Sequence, residues 1–463
     1  MQELPIWQLS ASVCMNTVLQ KRFCSAAKSF LRFHSACDPT IRTDRLAPVP
    51  KSSYLPRVRL LAPLSLALLL PLGCRRNSFP DVPAGYREFA YVTNGNSNTV
   101  SILDLVNLRS DRTLQVGENP TGIAVNPRRN EVYAVNTKSG TITVIDAATN
   151  TVAATIGVHR QPYAISVDSA GGRAYVANSG SNSVSIIDLD RRREIATVGA
   201  GEQPGLARVS PDMRSVVVSN RGSGSVSIYS AATYVDPDPP ISGKNAPGRL
   251  QTGPALRFRT AYSGCPGATD IAILPDSSKA FIACSSSHQV MVVSLAAAPD
   301  SWPARQDPAA TSDHLLTMLD VGATPVHLAM KPDGGEIFVS NFGSDSVSEI
   351  DTWNNQVLGT YMIGNKPVHG IITRDNSTLW VADFGSDLIS IYSIDDGQLV
   401  TTVHTGSSPD ALAFSADEHL LLAADAHSGD VAVIRTQGAT LFTILPAGSS
   451  PNAIAVKAIR PTP

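Results

Sequence analysis

The feature that most constrains this sequence is a 42-residue repeat that runs through most of the chain. The proline that begins each unit recurs at this interval in two groups: Pro120, Pro162 and Pro204, then Pro325, Pro367, Pro409 and Pro451. One more unit lies between the groups, with Ala268 at the anchor position. A serine recurs in step from Ser97 to Ser428, and both series place 22 and 15 extra residues in two adjacent units. Such a fixed period predicts a chain built from stacked supersecondary units.

Each unit has the pattern of four short strands. After Pro120, alternating or continuous apolar and β-branched residues occupy 123–126, 131–136, 141–146 and 151–156, and turn-forming residues separate them. Four strands repeated at this period are typical of β-propeller blades. We therefore predict an all-β, eight-bladed β-propeller over residues 86–459. Seven blades is the alternative if the degenerate eighth unit, around 422–425, does not form a blade.

The two ends of the repeat complement each other. The first unit begins at its second strand, near Tyr91, whereas the last unit, from Pro451, supplies only a first strand. Together they make one blade, so we expect the C-terminal strand to close the ring. Closure removes the exposed edges that an open array of sheets would leave.

The second strands carry a recurring tetrapeptide, with these forms: Tyr91-Val92-Thr93-Asn94, Tyr175-Val176-Ala177-Asn178, Phe338-Val339-Ser340-Asn341 and Trp380-Val381-Ala382-Asp383. These segments resemble the YVTN family of β-propeller repeats, as does the Gly-x-x-Pro that opens most units. The fifth unit departs from the pattern, with Cys284 in place of the asparagine. The resemblance implies the fold rather than one function, because similar proteins include surface-layer components, periplasmic binding modules and redox proteins.

Candidate ligand-binding residues follow the anchors by two positions. Across the eight units this position holds Gly122, Ala164, Leu206, Asp270, His327, His369, Ala411 and Ala453. We expect Asp270, His327 and His369 to lie side by side at one mouth of the central channel. Two histidines and a carboxylate are a common ligand set for iron and zinc, so a divalent metal is one interpretation. The alternative is that the histidines are hydrated channel residues made similar by repeat duplication.

The paired histidines also resemble the distal pair in the haem d1-type eight-bladed propeller domain of nitrite reductases. That resemblance implies a non-covalent haem, with His327 and His369 as proton donors to its bound ligand. His159 is then the candidate for the iron ligand. Because no Cys-x-x-Cys-His occurs, covalent c-type haem is excluded for this chain.

Two further features concern the fourth and fifth units. Cys265 and Cys284 fall where they nearly oppose each other across a hairpin, so a disulfide is expected in an oxidising compartment, with buried free thiols as the alternative. The insertions at 231–255 and 296–314 fall between third and fourth strands. We expect them on the face opposite the histidines, either as a partner site or as neutral decoration.

The N-terminal region has the layout of an export signal. Residues 57–74 combine Arg57 and Arg59 with an apolar run and end at Gly73-Cys74, which resembles a bacterial lipobox. We expect Cys74 to be lipidated, with residues 75–85 as a tether; plain secretion and an uncleaved anchor are the alternatives. Residues 1–56 are then expected to be absent from the mature protein or disordered, with translation starting near Leu55 or Val58.

Charge and motifs limit the function classes. Residues 1–76 carry 11 Lys and Arg against 3 Asp and Glu, whereas residues 77–463 carry 26 against 36. A net-acidic main body predicts no nucleic-acid partner. No Gly-x-Ser-x-Gly elbow or P-loop occurs.

We therefore expect an exported, membrane-anchored binding module of the periplasm or cell surface rather than an enzyme. A redox or haem-binding protein is the alternative, and a sugar-lactonase-like hydrolase is the third interpretation.

Overall fold

The structure is a computed structural model that describes residues 83–231, 256–297 and 308–459. The strands form eight four-stranded antiparallel sheets. The inner strand of each sheet contacts the inner strands of both neighbouring sheets, all the way round a ring. The eight-bladed propeller is therefore confirmed, and the seven-bladed alternative is wrong. The predictions for residues 1–82, Cys74 among them, lie outside the described residues.

The strands of each blade follow one another outward from the channel, except in blade 1. The bounds are β1 Glu88–Asn94, β2 Thr99–Asp104, β3 Arg109–Gln115 and β32 Pro451–Ala458 in blade 1; β4 Pro120–Val125, β5 Glu131–Asn136, β6 Thr141–Asp146 and β7 Thr151–Gly157 in blade 2; β8 Pro162–Val167, β9 Arg173–Asn178, β10 Ser183–Asp188 and β11 Arg193–Gly199 in blade 3; and β12 Pro204–Val209, β13 Ser215–Asn220, β14 Ser225–Ala231 and β15 Leu256–Ser263 in blade 4.

The remaining blades follow the same plan: β16 Ala268–Ile273, β17 Lys279–Cys284, β18 Gln289–Ser294 and β19 His314–Asp320 in blade 5; β20 Pro325–Met330, β21 Glu336–Asn341, β22 Ser346–Asp351 and β23 Gln356–Met362 in blade 6; β24 Pro367–Ile372, β25 Thr378–Asp383, β26 Leu388–Ser393 and β27 Gln398–His404 in blade 7; and β28 Pro409–Phe414, β29 Leu420–Asp425, β30 Asp430–Arg435 and β31 Thr440–Pro446 in blade 8. A short 3-10 helix, Pro308–Thr311, precedes β19. Across the described ranges, no helix is long and apolar enough to cross a membrane.

The C-terminal strand closes the ring. β32 pairs antiparallel with β1 and becomes the inner strand of blade 1. Side chains support this pairing at the C-terminal end of β1. There the Thr93 hydroxyl donates to Asn452 Oδ1 at 2.7 Å, and Asn94 Oδ1 accepts the Gly448 N–H at 3.0 Å. The expectation that the two ends share one blade is confirmed.

The core consists of apolar layers between neighbouring blades. Successive residues of β1 point to opposite faces of the sheet, so Phe89 and Tyr91 pack against blade 2 whereas Ala90 and Val92 pack against blade 8. All seven residues of β1 are buried. Because both faces of such a strand are covered, its central segment 89–92 is continuously apolar, and each blade depends on both neighbours for its burial.

The asparagine that ends the second strand links strands within a blade. In blade 2, Asn136 Nδ2 donates to Thr141 Oγ1 at 3.0 Å and to Thr143 Oγ1 at 2.9 Å. The equivalent amides of blades 1, 3, 4 and 6 donate to pairs of hydroxyls in the same way: Asn94, Asn178, Asn220 and Asn341. This shared role explains the asparagine of the tetrapeptide.

Blades 7 and 8 carry a carboxyl group in this position. Asp383 Oδ2 accepts a hydrogen bond from the Ser390 hydroxyl, and Asp383 Oδ1 is buried without a hydrogen-bond partner among the described residues. Burial raises the pKa of Asp383 to about 7 and also raises the pKa of Asp425 in blade 8. The neutral carboxylic acid is thus the form that best replaces the asparagine amide.

Replacing Asp383 with asparagine should stabilise the protein above neutral pH. Because the folded-state pKa of about 7 exceeds the ordinary value of 3.8, the folded protein binds the extra proton, and its free energy of unfolding falls as pH rises through that interval. We expect D383N to raise the free energy of unfolding by roughly 1–4 kcal/mol at about pH 8, with a smaller effect at about pH 4. Denaturant melts at both pH values measure this difference.

The matched control is N341D, which places a carboxyl at the equivalent site of blade 6. It should destabilise the protein, and more so at the higher pH. An equal effect of D383N at both pH values would contradict a raised pKa for this carboxyl.

Candidate functional site

Three consecutive blades present polar side chains at one level of the channel. Asp270, His327 and His369 are each the third residue of an inner strand, in β16, β20 and β24. A shift of register directly precedes His327 and His369, and in blade 5 the shift lies between Ala268 and Ile271 and includes Asp270. Such a bulge re-aims the side chains at that point of the strand. The structure brings the three side chains together, as the repeat spacing predicts.

Asp270 is held by backbone amides of two blades. Its Oδ1 accepts the Ile271 N–H at 2.8 Å, and its Oδ2 accepts the Leu328 N–H of the next blade at 3.0 Å. The Arg208 guanidinium lies on its other side, with Nη2 3.6 Å from Oδ1. The two backbone N–H groups thus fix the direction of the carboxylate.

His327 lies between Asp270 and His369. Its Nδ1 accepts the Gly370 N–H at 3.3 Å, so the neutral ring carries its proton on Nε2, which is 3.7 Å from Asp270 Oδ2. The His369 ring stacks on the His327 ring, with 4.0 Å between centroids and 33° between planes. His369 Nδ1 is buried and has no hydrogen-bond partner among the described residues.

Both imidazoles are neutral at physiological pH. Burial, with a further contribution from the Arg208 charge, lowers the pKa of His327 to about 3. Burial and the neighbouring His327 lower the pKa of His369 well below its ordinary value. The pair can therefore donate and accept hydrogen bonds, but it does not supply an imidazolium acid near neutral pH.

A cavity of about 400 Å³ opens beside Asp270 and His327. Ser166, Arg208, Asp270 and His327 contribute its polar side chains, and the other lining residues are Val167, Val209, Pro211, Ile271, Ala272, Ile273, Leu328 and Met330. Ile271, Ile273 and Leu328 are almost fully buried in the layers between blades, so the exposed lining is largely polar. Convergent polar groups in a cavity are a feature of small-molecule sites. Reasoning from the sequence missed Ser166 and Arg208, because it considered only the position two residues after each anchor. The sequence signal that could have identified Arg208 is an arginine in an otherwise largely apolar inner strand.

His159 lies elsewhere. It follows β7, and its Nε2 is 2.8 Å from Thr197 Oγ1 and 3.3 Å from Glu194 Oε1, both on the outermost strand of blade 3. The ring thus points to the rim rather than to the channel. The structure therefore does not bring His159, the candidate iron ligand, to the channel histidines, because its ring contacts the outer strand of blade 3 instead.

The metal interpretation is not supported. In the part of the chain that the structure describes, no group of three His, Cys, Asp or Glu side chains is placed to hold a metal ion. The reason is visible at His327, since its Nδ1 already accepts a backbone N–H and its protonated Nε2 faces a carboxylate. Neither nitrogen offers a lone pair to the same point as Asp270.

Cys265 and Cys284 form a disulfide, with 4.7 Å between their Cα atoms. Cys265 precedes the inner strand β16, and Cys284 ends β17 in the position that asparagine occupies elsewhere. Both are fully buried. The covalent bond therefore takes the place of the hydrogen bond that joins the segment before the inner strand to the asparagine, as from the Gly201 N–H to Asn220 Oδ1 in blade 4.

The insertions leave their blades where expected. The first interrupts the chain between β14 and β15, and the second between β18 and β19, which are the third and fourth strands of blades 4 and 5. Ala231 and Leu256 flank the first at the ends of their strands. Residues 232–255 and 298–307 lie outside the described residues, so their predicted role as a partner site stays a prediction.

Comparisons with known proteins also identify a β-propeller. The sequence model of a family described as "Lactonase, 7-bladed beta-propeller" matches residues 365–441, which correspond to most of blades 7 and 8. No curated protein sequence matches the chain. The match to the family model is thus confined to two of the eight blades.

Solved structures extend the similarity to the whole propeller. The dihydro-heme d1 dehydrogenase NirN in complex with DHE has a TM-score of 0.62 at 15% identity, over 79% of this chain and 74% of its own. AztD from Citrobacter koseri gives 0.58 at 11%, over 81% and 99%. A candidate 6-phosphogluconolactonase from Bacteroides fragilis gives 0.53 at 14%, over 82% and 100%.

The similarity is one of fold. At these identities a shared β-propeller architecture carries no common activity. The comparisons confirm the resemblance to the haem d1-type propeller and to other β-propeller proteins at that level.

The neutral state of the histidine pair is directly measurable. In protein labelled with ¹⁵N-histidine, the ring signals of His327 and His369, assigned by their loss in H327Q and H369Q, should not titrate between about pH 5 and pH 8, because burial opposes the charged form. A midpoint near the ordinary value of about 6.5 for either ring would contradict their burial beside Arg208.

Proposed function

We propose that this chain is a binding module that holds a small molecule in its propeller channel. The supporting observation is the polar wall formed by Arg208, Asp270 and His327 in a cavity of about 400 Å³. This volume falls within the usual range for ligand pockets. Polar groups held on rigid strands would orient the ligand through directed hydrogen bonds.

Binding explains the chemistry of this wall better than catalysis does. A general acid or base works best when its pKa lies near the operating pH. Burial holds the pKa of His327 near 3, and Asp270 is engaged by two backbone amides. The groups are thus suited to directed hydrogen bonds rather than to proton transfer.

We further propose that the module is exported and anchored to a bacterial membrane by lipid on Cys74. The signal-like layout of residues 57–74 supports this proposal. The Cys265–Cys284 disulfide supports it independently, because disulfides persist in oxidising compartments such as the periplasm.

A haem-binding role is the second candidate, because a stacked pair of neutral imidazoles on adjacent blades could face a haem-bound ligand. NirN, whose structure contains DHE, shares the fold. The fit is incomplete, since His159 points to the rim and cannot serve as the iron ligand at the channel. His327 and His369 would then act only as hydrogen-bonding groups. The lactonase interpretation has less support, because its family match covers residues 365–441 alone.

The channel site predicts a ligand that remains bound through purification. Native mass spectrometry of the protein purified from its own host should show an additional small-molecule mass in the wild type and in H314A, and none in H327A. His314 is the matched control because it is exposed on the outer strand β19. An absorption band in the haem region would favour the second candidate. A wild-type protein that carries no more small molecule than H327A would contradict the channel site.

Lipidation of Cys74 is a separate prediction. The mature N-terminal peptide should begin at Cys74 and carry the mass of attached acyl chains. Because those chains supply the membrane affinity, C74A should move the protein from the membrane to the soluble fraction. A mature chain that retains residues before Cys74 would refute the lipid anchor.

A further inference from the structure

Every blade has a β-bulge near the start of its outer strand. In blade 6, Val357 pairs with Ile350 and Gly359 pairs with Glu349, so Leu358 is an extra residue outside the ladder. A bulge of this kind re-aims the side chain of the extra residue. From blade 1 to blade 8, the bulge position holds Asp111, Ala153, Ile195, Arg259, Leu316, Leu358, Val400 and Phe442. Blades 5 to 8 thus all fill it with a large apolar residue.

The apolar side chains of these four blades are exposed to solvent. At the bulge, the exposed fractions are 37% for Leu316, 54% for Leu358, 61% for Val400 and 41% for Phe442. The residue before the bulge adds three more exposed leucines, which are Leu315, Leu399 and Leu441. We call these seven side chains the rim belt. Single exposed apolar residues are ordinary, whereas a row of them at one repeat position indicates an interaction surface.

Trp353 extends the rim belt from the turn between β22 and β23, where it is 86% exposed. Its turn is held in place, because Asp351 Oδ1 accepts the Trp353 N–H at 2.7 Å. Lys279 of blade 5 also donates to Asn355 Oδ1 of this turn at 3.0 Å. The structure therefore presents an indole to solvent from a fixed turn. Such amphipathic rings are enriched where proteins meet the boundary between membrane and water.

The rim belt lies towards the face at which the chain enters the ring. The outer strands begin at the turns that follow the third strands, and in blade 1 the Leu105 N–H of this turn donates to the Glu88 carbonyl at the start of β1. The lipid proposed on Cys74 is nine residues before Pro83, so a fully extended chain places it within about 32 Å of Pro83. The anchor thus keeps this face, opposite the histidine mouth, within reach of a membrane.

A flat lipid surface fits the rim belt better than a second copy of this chain. Equivalent repeat positions lie at one height of the ring, so the belt follows an arc that a plane can meet on all four blades, whereas two convex rims touch over one or two. The bulge residue is the third of its strand, about 7 Å above the start of the strand. Interfacial apolar groups are buried about 5–10 Å deep.

We propose that the rim belt and Trp353 lie in the interfacial region of a lipid membrane. This inference rests on the proposed lipid anchor at Cys74 and adds the orientation of the ring, with the histidine mouth facing away from the bilayer and open to its ligand. Charges of both signs flank the belt, since the Arg435 guanidinium lies 4.4 Å from the Phe442 ring centroid and Asp395 and Asp396 are exposed in the turn before β27. A zwitterionic headgroup matches this mixture.

Tryptophan fluorescence of the lipidated protein, reconstituted in phosphatidylcholine vesicles, tests the contact, with brominated acyl chains as the quencher. Because the chain has four tryptophans, W353F isolates the share of Trp353, and brominated lipid should quench the wild type more than W353F. L358D/V400D should reduce this share by more than about half, since it replaces two apolar contacts with charges that resist burial. The bulge accepts a carboxylate, because blade 1 carries Asp111 there.

The matched control is A153D/I195D, which adds the same two charges at the bulges of blades 2 and 3 and should leave the quenching unchanged. Equal quenching in both double variants, or a vesicle-bound wild type whose Trp353 is not quenched, would overturn the inference alone. So would sedimentation that shows L358D/V400D dissociating a dimer while the quenching stays the same, because a second copy then covers the belt. A wild type that does not associate with the vesicles would overturn both the inference and the lipid anchor.

Discussion

The antiparallel ladder between β1 and β32 is the interaction on which the rest of the structure depends. Each blade buries its apolar side chains only between two neighbours, so an unpaired blade at either end would leave a sheet face and an edge exposed. The ladder joins residues that are more than 350 positions apart in the chain. Without it, blade 1 would lack its inner strand, and Ala90 and Val92 would lose the layer they share with blade 8.

A closed ring of equal repeats also determines where chemistry can occur. Residues at one position of the repeat lie at one height of the channel, and a side chain there can reach the backbone of the next blade. Asp270 accepts the Leu328 N–H of blade 6, and His327 accepts the Gly370 N–H of blade 7. His369 ends this series, because its Nδ1 has no hydrogen-bond partner within the described part of the chain. Substitutions in three successive blades thus produce one connected polar wall on a scaffold that stays unchanged.

The sequence predicts the fold well because the repeat is a property of spacing. The 42-residue interval and the split first blade are sufficient to predict the ring and its closure. The position two residues after each anchor is sufficient to predict that Asp270 lies near His327. The direction of the His159 side chain could not be predicted from spacing, because it depends on contacts with Thr197 and Glu194 of another blade. The approach of Arg208 to Asp270 depends on side-chain conformation and the raised pKa of Asp383 depends on burial, and spacing specifies neither.

The two halves of the ring differ in a way that a symmetric scaffold does not require. In blades 1, 2, 3 and 8 the equivalent inner-strand positions hold small residues: Gly122, Ala164, Ala411 and Ala453. At Gly122 the reason is local, because an added Cβ would lie 2.9 Å from the Tyr163 carbonyl oxygen. Only blades 5, 6 and 7 carry polar side chains at this position, so the polar atoms that these positions contribute to the channel are concentrated on one arc of the ring. The asymmetry comes from side-chain substitution alone, because the inner strands of blades 2 to 8 all have the same length of six residues.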